Sequence, residues 1–152
     1  MPARILFLCT GNSARSQMAE GLLRHFAGDH FEVYSAGLDP KPINPYAIQA
    51  MHEIGLDISN YTSKDVMDYL GRVHMSFVIT VCSNAEARCP IFPFSTQRLA
   101  WPYEDPAAFV GTEEETHAKF REVRDQISER LQAWLKDQGL QPRPLPIPQS
   151  AA

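Results

Sequence analysis

Apolar positions along this chain recur at two periods, and the alternation between them sketches the fold. Ile5, Leu6, Phe7 and Leu8 run without a polar break and read as a buried strand. Residues 16–27 then place Met18, Leu22, Leu23 and Phe26 on one helical stripe, with Gly28 as the stop. Residues 31–37 alternate as a strand should. Asn44 and Pro45 form an N-cap and first helical position for a second helix with Ala47, Ile48, Met51 and Ile54 inward, ended by Gly55. An irregular stretch, 57–62, and a weaker helix, 64–70, lead to a third strand, 77–81, whose near-continuous apolar run suits burial on both faces. Residues 83–93 read as loop, with one helical turn at 85–88, and 98–101 as a fourth strand. Thr112 and Glu115 make a capping box for the last helix, where Phe120, Val123, Ile127, Leu131 and Trp134 repeat at helical spacing up to Gly139.

Strand–helix–strand in about thirty residues is a right-handed βαβ unit. The whole pattern implies an α/β class: a single-domain open four-stranded parallel sheet, order 2-1-3-4, with helices on both faces. The domain spans residues 1–139. Residues 140–152, with Pro142, Pro144, Pro146 and Pro148, form a Pro-rich tail expected to be extended and mobile, rather than a ligand for a proline-recognising domain. Sheets of this order bind ligands beyond the carboxyl ends of the strands flanking the reversal point, here strands 1 and 3. Both end in cysteine, Cys9 and Cys82.

Composition narrows the chemistry. The 152 residues are 44% hydrophobic and 21% charged, as in soluble globular domains. A net charge of −4 without a basic block argues against nucleic acid and acidic membranes as partners. No stretch approaches the ~20 apolar residues of a membrane span, and none reads as a signal peptide, so a cytoplasmic protein is expected. Three cysteines there point to redox or catalytic use rather than a static framework. The five histidines are scattered without ligand spacing, so no metal site is expected.

The candidate chemistry sits after the first strand. Cys9 is followed by Thr10, Gly11, Asn12, Ser13 and Ala14, and then by Arg15 and Ser16 at a helix start. Loop N–H groups and a helix N-terminus favour a tetrahedral anion at one point. Arg15 can close on it as a bidentate fork, and the same field favours a Cys9 thiolate, with Ser16 offering the sulfur a hydrogen bond. A plain buried core cysteine would not account for this spacing. Asp105, in the loop after strand 4, lies at the same sheet edge, where a carboxylic acid can protonate a departing oxygen; by itself it would read as a turn-former. Six residues separate Cys82 from Cys89, so the two can pair if the loop bends. Three thiols around an anion site suggest a reduction: Cys9 attacks the central atom, Cys82 attacks Cys9, and Cys89 attacks Cys82. Thiols do not reduce phosphorus(V) but do reduce arsenic(V), so arsenate is the natural substrate and arsenite the product.

Residues 9–21 resemble the active-site signature of the thioredoxin-coupled arsenate reductases, which share the low-molecular-weight tyrosine phosphatase fold. The resemblance continues at 34–37, 44–45, 57–59, 80–82, 89–90 and 105–106 and covers about residues 4–135. It implies Cys9 as nucleophile, Arg15 as clamp, Ser16 as thiolate stabiliser, Cys82 and Cys89 as redox thiols and Asp105 as acid. It also implies residues 10–16 as the anion cradle, and a monomer recycled by thioredoxin, with glutaredoxin and glutathione as the alternative. Ala14 stands where some members have cysteine. Some members bind potassium near the loop, and Asn12, Glu20 and Ser35 match that site. Lys64 replaces the expected carboxylate, however, so its ammonium is read as substituting for the ion and no cofactor is expected. The rival enzyme is a low-molecular-weight tyrosine phosphatase. It would have no use for Cys82 and Cys89, and usually carries tyrosines where this chain has Ala107, Ala108 and Phe109. A phosphocysteine carrier conflicts with a clamping Arg15, and a non-catalytic oxyanion or redox sensor is not demanded by any missing group.

Overall fold

The computed structural model describes residues 2–83 and 97–148. Strands β1 (Ala3–Cys9), β2 (Phe31–Gly37), β3 (Phe77–Thr80) and β4 (Gln97–Ala100) alternate with helices α1 (Arg15–Ala27), α2 (Pro45–His52) and α3 (Glu113–Asp137). The sheet is parallel throughout, in the order β2-β1-β3-β4. Cys9 pairs with Gly37, and Leu8 with Thr80. The carboxyl ends of β1, β2 and β3 therefore finish level, and their loops share one edge.

Ile5, Leu6, Phe7 and Leu8 are all fully buried, so both faces of β1 are covered. α1 packs on β1 and β2, α3 packs on α1, and α2 packs on both helices. Trp134 of α3 ties that layer to the sheet through Phe31, Phe77 and Trp101. Tyr34, which strand alternation turns to the other side from Val33, meets Tyr69 edge-on. Burying a large apolar side chain is worth roughly 1.5–3 kcal/mol, and this core carries the stability of the fold.

Local signals explain most boundaries. Asn44 caps α2 by accepting the Tyr46 N–H, and Pro45 opens it. The capping box of α3 is complete, with Thr112 and Glu115 each accepting the other's backbone N–H. α2 stops at His52, short of the expected Ile54, because Gly55 at φ +83° lets the Leu56 N–H return to the Met51 carbonyl. The weak helix expected at 64–70 is only a 3₁₀ turn, Val66–Asp68. Its start is claimed elsewhere: the Lys64 carbonyl accepts the Gly37 N–H, and Asp65 bridges to Gly37 as an extension of β2. The helical turn at 85–88, Cys89 and the prolines at 90 and 93 lie outside the described residues.

The tail is not loose over 140–148. Arg143 N–H bonds the Phe26 carbonyl at 3.0 Å and Ile147 N–H bonds the Ile54 carbonyl at 3.2 Å. His25 Nε2 meets the Pro144 carbonyl at 2.7 Å, and Arg143 pairs with Asp29. Proline at every second position leaves an N–H only at 143, 145 and 147, and two of those three dock on the domain.

Candidate active site

Five consecutive carbonyls of the loop after β1 are held by donors from neighbouring segments. Those of Cys9, Thr10, Gly11 and Ser13 accept the N–H groups of Leu38, Asp39, Lys41 and Asn44, at 2.8–3.2 Å. The Asn12 carbonyl accepts Gln17 Nε2 and Ser63 Oγ. Ser63 Oγ also reaches the Lys41 carbonyl. With its carbonyls tied outward, the loop is left with N–H groups to offer an anion. No side chain caps α1, so the N–H groups of its first turn add to the same cradle.

Asn12 adopts φ +50°, the left-handed conformation that asparagine tolerates better than most residues. This turns its N–H onto Cys9 Sγ at 3.1 Å, and Ser16 Oγ lies 2.8 Å from the same sulfur. Two hydrogen bonds converging on sulfur suit a thiolate acceptor. Asn12 Nδ2 donates to Ser16 Oγ at 2.8 Å and to Ser35 Oγ at 2.9 Å, and Ser35 donates to Glu20 Oε1 at 2.5 Å.

A cavity of about 200 Å³ lies above the sulfur, lined by Cys9, Thr10, Gly11, Ser13, Ala14, Arg15 and Asp105, with Asp39, Lys41 and Ala107. Arg15 is anchored by donating to the Tyr103 carbonyl at 2.9 Å, and its other terminal nitrogen stands 3.7 Å from Asp105. Asp105 also caps the 3₁₀ turn Pro106–Ala108 through Ala107 N–H. Burial drives the Tyr103 hydroxyl up to about 12, against the opposing charge of Arg130, so it stays neutral.

Seven of the expected residues therefore meet in one cavity. Asn12 and Ser16, expected in the anion cradle, are fully buried instead, and their side chains hold Cys9 from behind. Cys82 follows the end of β3, buried, with its sulfur 3.4 Å from Thr10 Oγ1. Cys89 falls outside the described residues. Asp39 and Lys41 were not anticipated from the sequence. They follow the carboxyl end of β2, and the rule that ligands gather at that edge was the available signal.

Arg24 and Lys64 stand at the residues that match a potassium site. Lys64 Nζ lies 3.7 Å from Glu20 Oε1 and donates to the Thr62 carbonyl at 2.5 Å, while Arg24 holds the other Glu20 oxygen at 2.9 Å. Asn12 Oδ1 is taken by the Lys64 N–H. Among the described residues, no group of three or more His, Cys, Asp or Glu converges as a metal centre. No helix among them is long and apolar enough to cross a membrane.

The parallel 2-1-3-4 sheet with a cysteine–arginine anion loop at its reversal point defines a phosphatase-type class. Residues 4–142 match the family model of the low molecular weight phosphotyrosine protein phosphatases, and the chain belongs to that family. Within it, the chain is 49% identical over 127 residues to an arsenate reductase of Bacillus subtilis (strain 168), covering 84% of this chain and 91% of the relative. Among solved structures, an arsenate reductase in the phosphate-binding state superposes with a TM-score of 0.75 at 32% identity, covering 89% of this chain and 98% of the other. A thioredoxin-dependent arsenate reductase of Corynebacterium glutamicum gives 0.64 at 30% identity, over 90% of this chain and 63% of the other. The chain thus belongs with the arsenate reductases of this family.

Proposed function

We propose that the protein reduces arsenate to arsenite by a thiol cascade. The observation that carries this reading is a doubly hydrogen-bonded cysteine under an arginine-clamped anion cavity, with a second buried cysteine, Cys82, just past the end of the adjacent strand and in contact with the same loop. Cys9 attacks arsenic(V), and Asp105 protonates the departing oxygen, which leaves as water. Cys82 attacks the Cys9 sulfur; the S–As bond breaks with its electron pair on arsenic, giving arsenite and a Cys9–Cys82 disulfide. Cys89 then attacks Cys82, returning the Cys9 thiolate. A dithiol reductant takes the two oxidising equivalents from the Cys82–Cys89 disulfide.

Thioredoxin is the reductant favoured by the likeness to the Corynebacterium enzyme, ahead of glutaredoxin with glutathione. A reducing compartment such as the cytoplasm suits this chemistry. Among the described residues, the exposed large apolar side chains are Met67, Val110 and Ile147, far apart in sequence, which suits a monomer. Ala107 at the cavity rim offers nothing for an aryl ring to stack on, so phosphatase turnover is a side-activity at most.

The test is arsenate-dependent NADPH oxidation with thioredoxin and its reductase. Cys9→Ser and Cys82→Ser should abolish it, and Cys89→Ser should reduce it to single turnover, with a Cys9–Cys82 disulfide trapped on the protein. Multiple turnovers by Cys89→Ser would defeat the cascade, though not arsenate binding.

A further inference from the structure

Two cation–carboxylate pairs line the anion cavity, and they are held differently. Arg15 is 12% exposed at its side chain, anchored on the Tyr103 carbonyl, and stands 3.7 Å from Asp105. From the segment after β2, Lys41 Nζ lies 3.1 Å from Asp39 Oδ2, with side chains 64% and 65% exposed. The backbones of this second pair are fixed to the anion loop. The Asp39 N–H donates to the Thr10 carbonyl and the Lys41 N–H to the Gly11 carbonyl, both at 2.8 Å. The Lys41 carbonyl is taken by Ser63 Oγ. Pro40 and Pro42 flank Lys41, and a residue before proline is confined to extended backbone. The Lys41 stem runs over Gly11, with Cγ and Cβ 3.4 and 3.7 Å from the point where a Gly11 side chain would begin. What remains able to change partners is the ammonium and the Asp39 carboxylate.

An ion pair this exposed adds little to stability, because solvent screens it and two side chains must be ordered to make it. Beside an anion cavity the same arrangement has another use. We propose that Lys41 is a second anion-binding arm, and that Asp39 is the positioning residue that holds it until an oxyanion enters. The Asp39 carboxylate stands in for that anion: it offers the ammonium the same kind of charged acceptor oxygen. A tetrahedral dianion has charge and oxygens enough to engage Arg15 and Lys41 together, and so takes the ammonium from Asp39. A tetrahedral monoanion, already gripped by Arg15 and the loop N–H groups, has less to offer Lys41. Arsenous acid is uncharged near neutral pH, so the reduced product gives the ammonium nothing to hold and the Asp39 pair re-forms. Lys41 thus adds a preference for double charge to a cradle whose N–H donors recognise shape. The proposal rests on the reading of this cavity as the oxyanion site. Its test measures phosphate binding without reduction, so the two readings fail separately.

In the full chain carrying Cys82→Ser and Cys89→Ser, Cys9 is the only thiol left. Protection of Cys9 from iodoacetamide by inorganic phosphate, at constant ionic strength, then gives an anion Kd. Lys41→Met should weaken phosphate binding about three- to ten-fold, the size expected for one partly screened charge pair, and Lys41→Arg should restore most of it. Perrhenate, a tetrahedral monoanion, should lose less than phosphate. Asp39→Asn should act in the opposite direction, tightening phosphate binding about two- to five-fold, because the ammonium loses its rival partner. That gain should largely vanish when Lys41→Met is added. The opposed signs discriminate, since a merely structural pair is damaged alike from either side. Four results would each overturn the proposal: weaker binding in Asp39→Asn, a Lys41→Met Kd equal to the parent's, equal losses for phosphate and perrhenate, or a gain from Asp39→Asn that survives in full without Lys41. If phosphate does not protect the parent, the oxyanion site itself is wrong and the arm falls with it.

Discussion

Gly37→Ala places a Cβ 2.8 Å from the Thr10 carbonyl oxygen, 2.9 Å from the Asn12 nitrogen and 3.0 Å from the Gly11 carbonyl carbon. All three are backbone atoms of the anion loop, so no side chain can swing aside. Ordinary contact begins at 3.4 Å, and the loop or β2 must yield by about 0.6 Å. Neither moves freely. The Gly37 N–H is bonded to Lys64, and the Thr10 carbonyl that would be pushed is itself tied to Asp39. Overpacking of this kind costs roughly 1–3 kcal/mol, or about 3–10 °C in a domain of this size. A misplacement of 1 Å at reacting groups can cost about 100-fold, so a shift of over half that should raise the arsenate KM roughly 10- to 50-fold. The coupled NADPH assay gives that KM, competition by phosphate reports the cradle alone, and thermal denaturation gives the stability loss. If KM and phosphate inhibition stay within about twofold of the parent while the protein melts normally, the outward-tied loop is not the rigid cradle described here.

Three further predictions concern the body of the domain. Arg121 grips Glu53 through both carboxylate oxygens at 2.8 and 2.9 Å, joining the end of α2 to α3. That hydrogen bond holds Glu53 below its ordinary value of 4.5, against the opposing effect of burial. The stabilisation is therefore complete above 4.5 and lost as pH falls through the depressed value. Glu53→Gln should lower Tm by roughly 2–4 °C at pH 7, about 1 kcal/mol, with the gap closing as pH falls below the ordinary carboxylate range; a gap constant with pH would refute the assignment. Truncation after Gly139 removes three backbone hydrogen bonds and the partly buried Leu140 and Leu145. It should cost about 1–3 kcal/mol in urea denaturation with kcat unchanged, because the anchors lie at the carboxyl ends of α1 and α2, whose amino ends face the anion loop. Gly55→Ala, which puts a Cβ 2.7 Å from Pro146, should do less damage in the truncated chain than in the full one.

The strands and the anion loop were legible in the one-dimensional pattern because both are local, and the sheet order followed from the handedness of parallel crossovers. A strand buried on both faces is continuously apolar, a capping box shows in four residues, and Cys9 to Ser16 form one connected turn. The weak helix at 64–70 was misread because its first residues are claimed by β2 and Asn12, partners 27 and 52 residues away that no local propensity registers. The tail was misread for the same reason. Alternating prolines do resemble a linker, and only the positions of Phe26 and Ile54 in space turn the intervening N–H groups into anchors.

At the site, the residue types and spacing of Cys9, Arg15 and Ser16 were enough to state the chemistry, since a nucleophile and an anion trap require those groups in that order. What the tertiary structure alone decided is which of them face the anion. Asn12 and Ser16 turn away to hold the sulfur, while Asp39 and Lys41 arrive at the cavity from a neighbouring strand end. The outward-tied carbonyls and the hydrogen bonds that join Ser35, Asn12 and Ser16 to Cys9 belong to that second category. They depend on donors brought from β2, α1 and the 62–64 segment to one point, and the direction of a hydrogen bond is set by where its partner sits in space.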